Sequence, residues 1–241
     1  DVGFVAKCGV DQCGELGFKW LGESNVDTTY YWLDPSIESC LGLCIIAENG
    51  ENLLLDFDDD MHAIQPDEVD RVVRKLNGAK YLVSGFAQSV ESGLMACKTG
   101  KEMGMYTLLN PSPLRENLEL PEMPYVDVLC VNEGESYEML SLDPESNLDI
   151  IELGKKLLER YKCGAVVMTL GSKGSAGITK NDAWTCPSVK VDMVDETGAG
   201  DGFLGAVTYC LSRGKTLQEA MEWANVYAAY TVTKSGSLEF Y

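Results

Sequence analysis

The alternation of short apolar strands with amphipathic helices from Pro66 onward most restricts how this chain can fold. Apolar residues at helical spacing predict helices over residues 67–76, 89–99, 135–140 and 150–161. Between them, apolar and β-branched runs predict strands over residues 81–84, 106–110, 126–132 and 165–169. Strands joined through helices run parallel, and such a sheet buries both faces. The expectation is therefore an α/β fold of three αβα layers around a mostly parallel sheet. Sheets of this kind hold ligands at the carboxyl ends of their strands. Four polar, glycine-rich segments fall there and should share one rim: Asn110-Pro111-Ser112-Pro113, Asn132-Glu133-Gly134-Glu135, Thr169-Leu170-Gly171-Ser172-Lys173-Gly174-Ser175, and the glycine-rich turn that ends in Asp201.

The first 57 residues read differently. A strand over residues 2–6 passes through Gly9-Val10-Asp11-Gln12-Cys13-Gly14 into a helix near residues 15–21, followed by a strand over residues 28–33. Residues 40–47 and 52–57 flank Glu48-Asn49-Gly50-Glu51. Asn-Gly between apolar runs favours a type I′ turn, which predicts a hairpin. The strands within 28–57 are expected to form a small antiparallel β lid.

A second constraint lies near the carboxyl end, in Val194-Asp195-Glu196-Thr197-Gly198-Ala199-Gly200-Asp201-Gly202-Phe203. Residues 188–194 alternate apolar and polar, which predicts a strand. Phe203, Leu204, Ala206, Val207, Cys210 and Leu211 recur at helical spacing. A glycine-rich strand-to-helix turn directs unpaired amides and the positive end of the helix dipole outward, which suits an anion. Asp201 is out of place there as a resting charge. It fits either as an N-cap or as the acceptor of a proton from a nucleophile attacking a bound phosphate. Two other phosphate motifs are excluded. Phe203 occupies the third glycine position of a dinucleotide fingerprint, and Tyr209 the first glycine position of a loop ending Gly214-Lys215-Thr216.

The 241 residues suffice for one large α/β domain, and a hydrophobic content of 45% with 24% charged residues is that of a globular protein. A net charge of −19 argues against nucleic-acid and anionic-membrane partners, because phosphate surfaces would repel the chain. No apolar run reaches the ~20 residues that span a bilayer, and no signal peptide is visible. Nine cysteines without a C-x-x-C pair read as reduced thiols of a cytoplasmic protein. A single histidine, His62, excludes a His-rich metal site and reads as a surface loop residue.

Together these segments resemble the ribokinase (PfkB) family of carbohydrate and nucleoside kinases. Asn110-Pro111-Ser112-Pro113 is like its N-P-[AS]-P step, Asn132–Glu135 its N-x-x-E motif, and Thr169–Gly174 its T-L-G-x-x-G loop. Asp195–Asp201 looks like D-T-x-G-A-G-D, with Glu196 in place of threonine. Gly9–Gly14 and Asn25-Val26-Asp27-Thr28 are similar to the early G-x-D-x-x-G and G-V-D-T steps. The resemblance covers nearly the whole chain as a single ribokinase-like domain. It implies an ATP-dependent kinase acting on a sugar or related alcohol.

Position by position, the resemblance makes Asp201 the general base and Gly198, Ala199 and Gly200 the anion hole. Asn132 and Glu135 would organise Mg²⁺. Thr169, Gly171, Ser172 and Gly174 would line the ATP site, with Asn225 near the base. A monovalent cation such as K⁺ would sit among Asp195, Thr197, Thr231, Lys234 and Gly236, held largely by backbone oxygens. The lid would pair two chains into a homodimer. The family's substrate glycines and first substrate aspartate precede the strand at Val2, and a terminal element follows Gly236-Ser237, so both are expected outside these residues. Gly85-Phe86-Ala87-Gln88 stands where ribokinases carry an acidic sugar contact. Three readings stay open: a ribose-type kinase, an adenosine- or fructose-type kinase, and a nucleotide-binding homologue without an acceptor site.

Overall fold

A computed structural model describes residues 1–46, 52–57, 64–87, 89–114 and 118–236. The chain opens with β1 (Val2–Gly9), α1 (Gln12–Glu23) and β2 (Val26–Asp34). β1 and β2 pair in parallel as a two-stranded sheet. The residues at 28–33 therefore do not join an antiparallel lid. With α1 between the strands, the chain is carried back before β2 begins, so β2 runs alongside β1. The antiparallel appendage is confined to β3 (Leu41–Ile46) and β4 (Asn52–Phe57), where Leu43 lies opposite Leu55. The Glu48–Glu51 turn and His62 lie outside the described residues.

The remaining elements are α2 (Pro66–Val73), β5 (Tyr81–Gly85), α3 (Val90–Glu102), β6 (Tyr106–Asn110), β7 (Val128–Asn132), α4 (Glu133–Met139) and α5 (Ile150–Tyr161). They continue as β8 (Ala165–Thr169), β9 (Ser175–Thr179), β10 (Ala183–Cys186), α6 (Ala199–Ser212) and α7 (Leu217–Thr231). The sheet order is β10-β9-β8-β7-β6-β5, with β5 to β8 parallel and β9 and β10 antiparallel. This is the expected α/β arrangement.

The strands sort their side chains with period two. Leu109, Leu129, Val131, Val166 and Met168 enter one core with Leu153, Leu157 and Tyr161 of α5. Leu108, Val128, Cys130, Ala165 and Val167 enter the other with Phe203, Leu204 and Val207 of α6 and Met221 of α7. Near-continuous apolar runs are what a sheet covered on both faces requires. Ile64, Val69, Val73 and Met105 form a third, smaller cluster, against which Val5 of β1 and Trp32 of β2 pack.

Residues 188–194 depart from expectation. They form no strand and pair with none among the described residues, and Val189, Val191, Met193 and Val194 stay exposed. β10 already has β9 as its neighbour, and the chain leaves it toward the end of α7, where Val194 N–H donates to Val232 O at 2.8 Å. Cys97, Cys130, Cys163, Cys186 and Cys210 are buried free thiols, whereas Cys13 and Cys40 are exposed. No described helix is long and apolar enough to cross a membrane.

Leu157 has no exposed surface and holds α5 to the sheet. Leu157→Ala is expected to lower unfolding stability by about 2–5 kcal/mol through lost burial and an unfilled cavity. Urea titration of both proteins measures this, with an unchanged m-value showing that the compact states are comparable.

Candidate active site

Adjacent parallel strands bring the polar segments together. Gly85 and Asn110, the last residues of β5 and β6, are cross-strand partners, as are Asn132 and Thr169 at the ends of β7 and β8. The loops are then tied to one another. Phe86 N–H donates to Ser112 O at 3.0 Å, and Asn110 Nδ2 donates to Cys130 O at 3.0 Å. Lys173 Nζ lies 3.6 Å from Glu133 Oε2, an exposed ion pair linking the β8–β9 turn to the first turn of α4. The expected rim is therefore formed by Asn110–Pro113, Asn132–Glu135 and Thr169–Gly174.

Asn132 and Glu135 hold each other. Asn132 Oδ1 accepts the Glu135 amide and Glu135 Oε2 accepts the Asn132 amide, both at 2.8 Å. This reciprocal capping box satisfies two free amides at the start of α4. Burial nevertheless pushes the Glu135 carboxyl above its ordinary value. No group of three or more His, Cys, Asp or Glu able to hold a metal occurs among the described residues.

The glycine turn is anchored by Asp195, which is 1% exposed. Asp195 Oδ1 accepts the Thr197 amide and Oδ2 the Gly236 amide, each at 2.9 Å. Burial alone would raise this carboxyl. The two amides and the Thr197 hydroxyl outweigh it and hold the group below its ordinary value. The backbone then turns at Gly198, whose φ of 78° lies in the left-handed region that an L side chain resists. Gly198 itself is the N-cap of α6 and offers no side-chain cap. Asp201, in the first helical turn, is therefore not the N-cap.

The amides of this turn are not equivalent. Ala199 N–H is committed to Glu196 O at 3.1 Å, and Gly202 N–H to Gly198 O at 2.8 Å. Gly200 and Asp201 N–H have no backbone acceptor among the described residues. A Cβ added at Gly200 would meet no atom of another described segment within 4 Å, so packing among the described residues does not explain a glycine there. The Asp201 side chain reaches solvent and makes no hydrogen bond with a described residue, while the protein around it pushes its carboxyl above the ordinary value.

Of the expected cation group, Asp195, Thr197 and Gly236 converge. Thr231 is buried, with its hydroxyl on Ala228 O and its carbonyl accepting Lys234 N–H; the Lys234 ammonium lies over the Tyr230 ring. Of the expected nucleotide group, Thr169, Gly171, Ser172 and Gly174 form a tight turn closed by Leu170 N–H to Gly174 O at 2.8 Å. Gly174 has a packing reason for being glycine, since a Cβ would lie 2.1 Å from Cys186 O. Asn225 is buried, and its Nδ2 donates to Ser175 Oγ at 3.1 Å and Cys186 O at 3.0 Å. It is neither one polar position on a solvated helix face nor a free group, but a clamp between α7 and the strands.

Ser112 and Glu133 lie within the segments expected on the rim, but no role is read for either from the sequence; Glu133 is the acid that pairs with Lys173 across the rim.

Known proteins are similar to this chain along nearly its whole length. A deoxyribokinase of Salmonella typhi is 26% identical over 237 residues, covering 98% of this chain and 77% of the relative. The structure of ribokinase from Giardia lamblia superposes with a TM-score of 0.85 at 22% identity, over 98% of this chain and 78% of the other. A fructokinase double mutant from Vibrio cholerae, with fructose, ADP and a potassium ion bound, superposes at 0.77 and 22% identity, over 98% and 80%. Residues 1–240 match the pfkB family of carbohydrate kinases, and the chain belongs to that family.

Proposed function

We propose that this chain transfers the γ-phosphoryl group of ATP to a hydroxyl of a ribose-like sugar. The observation that carries this reading is Asp201. Its carboxylate makes no hydrogen bond with a described residue and stands in the first turn of α6, beside amides with no backbone acceptor among the described residues and a glycine whose open side no described residue packs against. The acceptor oxygen attacks the γ-phosphorus while the bond to the ADP oxygen breaks, and the hydroxyl proton passes to Asp201. Of Gly198, Ala199 and Gly200, the Ala199 N–H is already spent on Glu196 O, so the backbone hole would rest on the Gly200 and Asp201 amides, which have no backbone acceptor among the described residues and would meet developing charge.

Asn132 and Glu135 would hold Mg²⁺ through its waters; when bound, the ion neutralises phosphate charge. Thr169, Gly171, Ser172 and Gly174 would face the nucleotide, and Asn225 would fix the wall beside it. Asp195, Thr197, Thr231, Lys234 and Gly236 would surround a monovalent cation, a reading supported by the potassium ion in the fructokinase. The hairpin of β3 and β4 would cover the acceptor and exclude water, which otherwise competes for the phosphoryl group. Leu43, Ile45 and Leu55 are exposed on it, which supports pairing with a second copy through this face.

ADP release with a panel of ribose, deoxyribose, fructose and adenosine tests the reaction. Turnover is expected with a pentose, and ATP binding without turnover on any member would contradict the reading. Asp201→Asn is expected to keep ATP affinity and lose about 10²- to 10⁴-fold in turnover, the usual contribution of a general base. The same variant should be more stable than the parent at neutral pH. A carboxyl whose folded pKa is raised binds its proton more tightly when folded, so ionisation costs stability as pH rises past its ordinary value of 3.8. The gain should vanish below that value, which melting curves across pH can follow. Sedimentation at increasing concentration should show a dimer, and a strict monomer would remove the pairing role of the hairpin.

A further inference from the structure

The phosphoryl-transfer reading leaves Gly9-Val10-Asp11-Gln12-Cys13-Gly14 without a task. Asp11 Oδ1 accepts the amides of Cys13 at 3.0 Å and Gly14 at 2.9 Å, which caps α1. Its second oxygen is used elsewhere: Oδ2 accepts Ser39 N–H at 2.7 Å, 28 residues along the chain. Ser39 returns the contact, its Oγ accepting Gly9 N–H at 3.1 Å.

Both glycines are needed for this approach. A Cβ at Gly9 would lie 2.7 Å from Ile37 O and 2.8 Å from Ser39 N, and one at Gly14 would lie 2.2 Å from Gly9 O. The backbone at residues 37–39 thus rests directly on the β1–α1 turn. Tyr31 braces the turn from the other side, its hydroxyl donating to Gly14 O at 3.0 Å. The amides of Gly14 and Ser39 hold the Asp11 carboxyl down at about 2, so it is ionised under ordinary conditions.

Ser39 lies just before β3. No described helix or other strand packs extensively on β3 and β4, and a two-stranded hairpin has little stability of its own. Its placement therefore depends on how the chain enters it. We propose that Asp11 is a positioning residue that latches the root of the β3–β4 hairpin to the β1–α1 turn and so sets the hairpin over the acceptor. The latch stands on the geometry above, and its effect on the reaction rests on the lid reading.

Asp11→Asn in the full-length protein separates the two tasks of this side chain. Asparagine is as good an N-cap as aspartate, but its amide nitrogen would oppose the Ser39 N–H. Hydrogen exchange is expected to quicken at least about tenfold across residues 41–46 and 52–57, the scale of one lost charge-assisted hydrogen bond. Protection in α1 should be unchanged. Ser39→Ala, which removes only the hydroxyl contacts, should quicken the same amides less. In kinetics, Asp11→Asn should raise the acceptor KM and ATP hydrolysis without acceptor, leaving the ATP KM alone. Unchanged exchange in the hairpin, or equal loss of protection in α1, would overturn the latch. A loosened hairpin with an unchanged acceptor KM would keep the latch and contradict the lid.

Discussion

A buried carboxylate without a cationic partner is costly unless hydrogen bonds replace its water. Asp195 has no cationic partner among the described residues, and its hydrogen bonds set the geometry of the candidate site. One oxygen takes the Thr197 amide, which shapes the turn into α6, and the other takes the Gly236 amide beyond α7. The carboxylate therefore joins the two ends of the α6–α7 pair. Val194 and Asp195 amides on Val232 O reinforce the same junction. Gly198 can then take its left-handed conformation with the helix start fixed in space. Losing this clasp would free the turn and leave the Gly200 and Asp201 amides without a fixed direction.

The sheet end is ordered by the same logic of satisfied polar groups. Glu135 closes a capping box with Asn132 at the end of β7, and Asn110 at the end of β6 donates to Cys130 O, so the two strand ends are linked. Asn225 links α7 to the exit of β10. Each of these side chains carries a structural duty that needs no ligand. Asp201 does not: it has no described protein partner, and it is held at a raised pKa by its surroundings. A polar group without a structural reason is where function is most plausibly sought.

Much of this was legible because period-two and period-3.6 patterns report burial. The strands at 106–110 and 165–169 and the helix at 150–161 fall where their apolar spacing placed them, since both faces of the sheet and one face of α5 are buried. The segment at 188–194 shows the limit. Its alternation is real, but alternation specifies a strand only when a neighbouring strand is available, and β10 has only β9. The direction of β2 was misread for a related reason: composition reveals an extended segment, whereas its partner follows from α1 between the strands. In the site, motif positions located the rim, but not which atoms were already engaged. That Ala199 N–H is spent on Glu196 O, or that Gly174 is glycine for the sake of Cys186 O, depends on ångström-scale packing that residue identity does not encode.

A crystal structure with a non-hydrolysable ATP analogue tests the assignment of the Gly198–Asp201 turn most directly. The γ-phosphate should lie within hydrogen-bond reach of the Gly200 and Asp201 amides, with the Asp201 carboxylate facing the side from which an acceptor hydroxyl would attack. A nucleotide bound with its terminal phosphate on another part of the rim, and the α6 amides left to water, would contradict it.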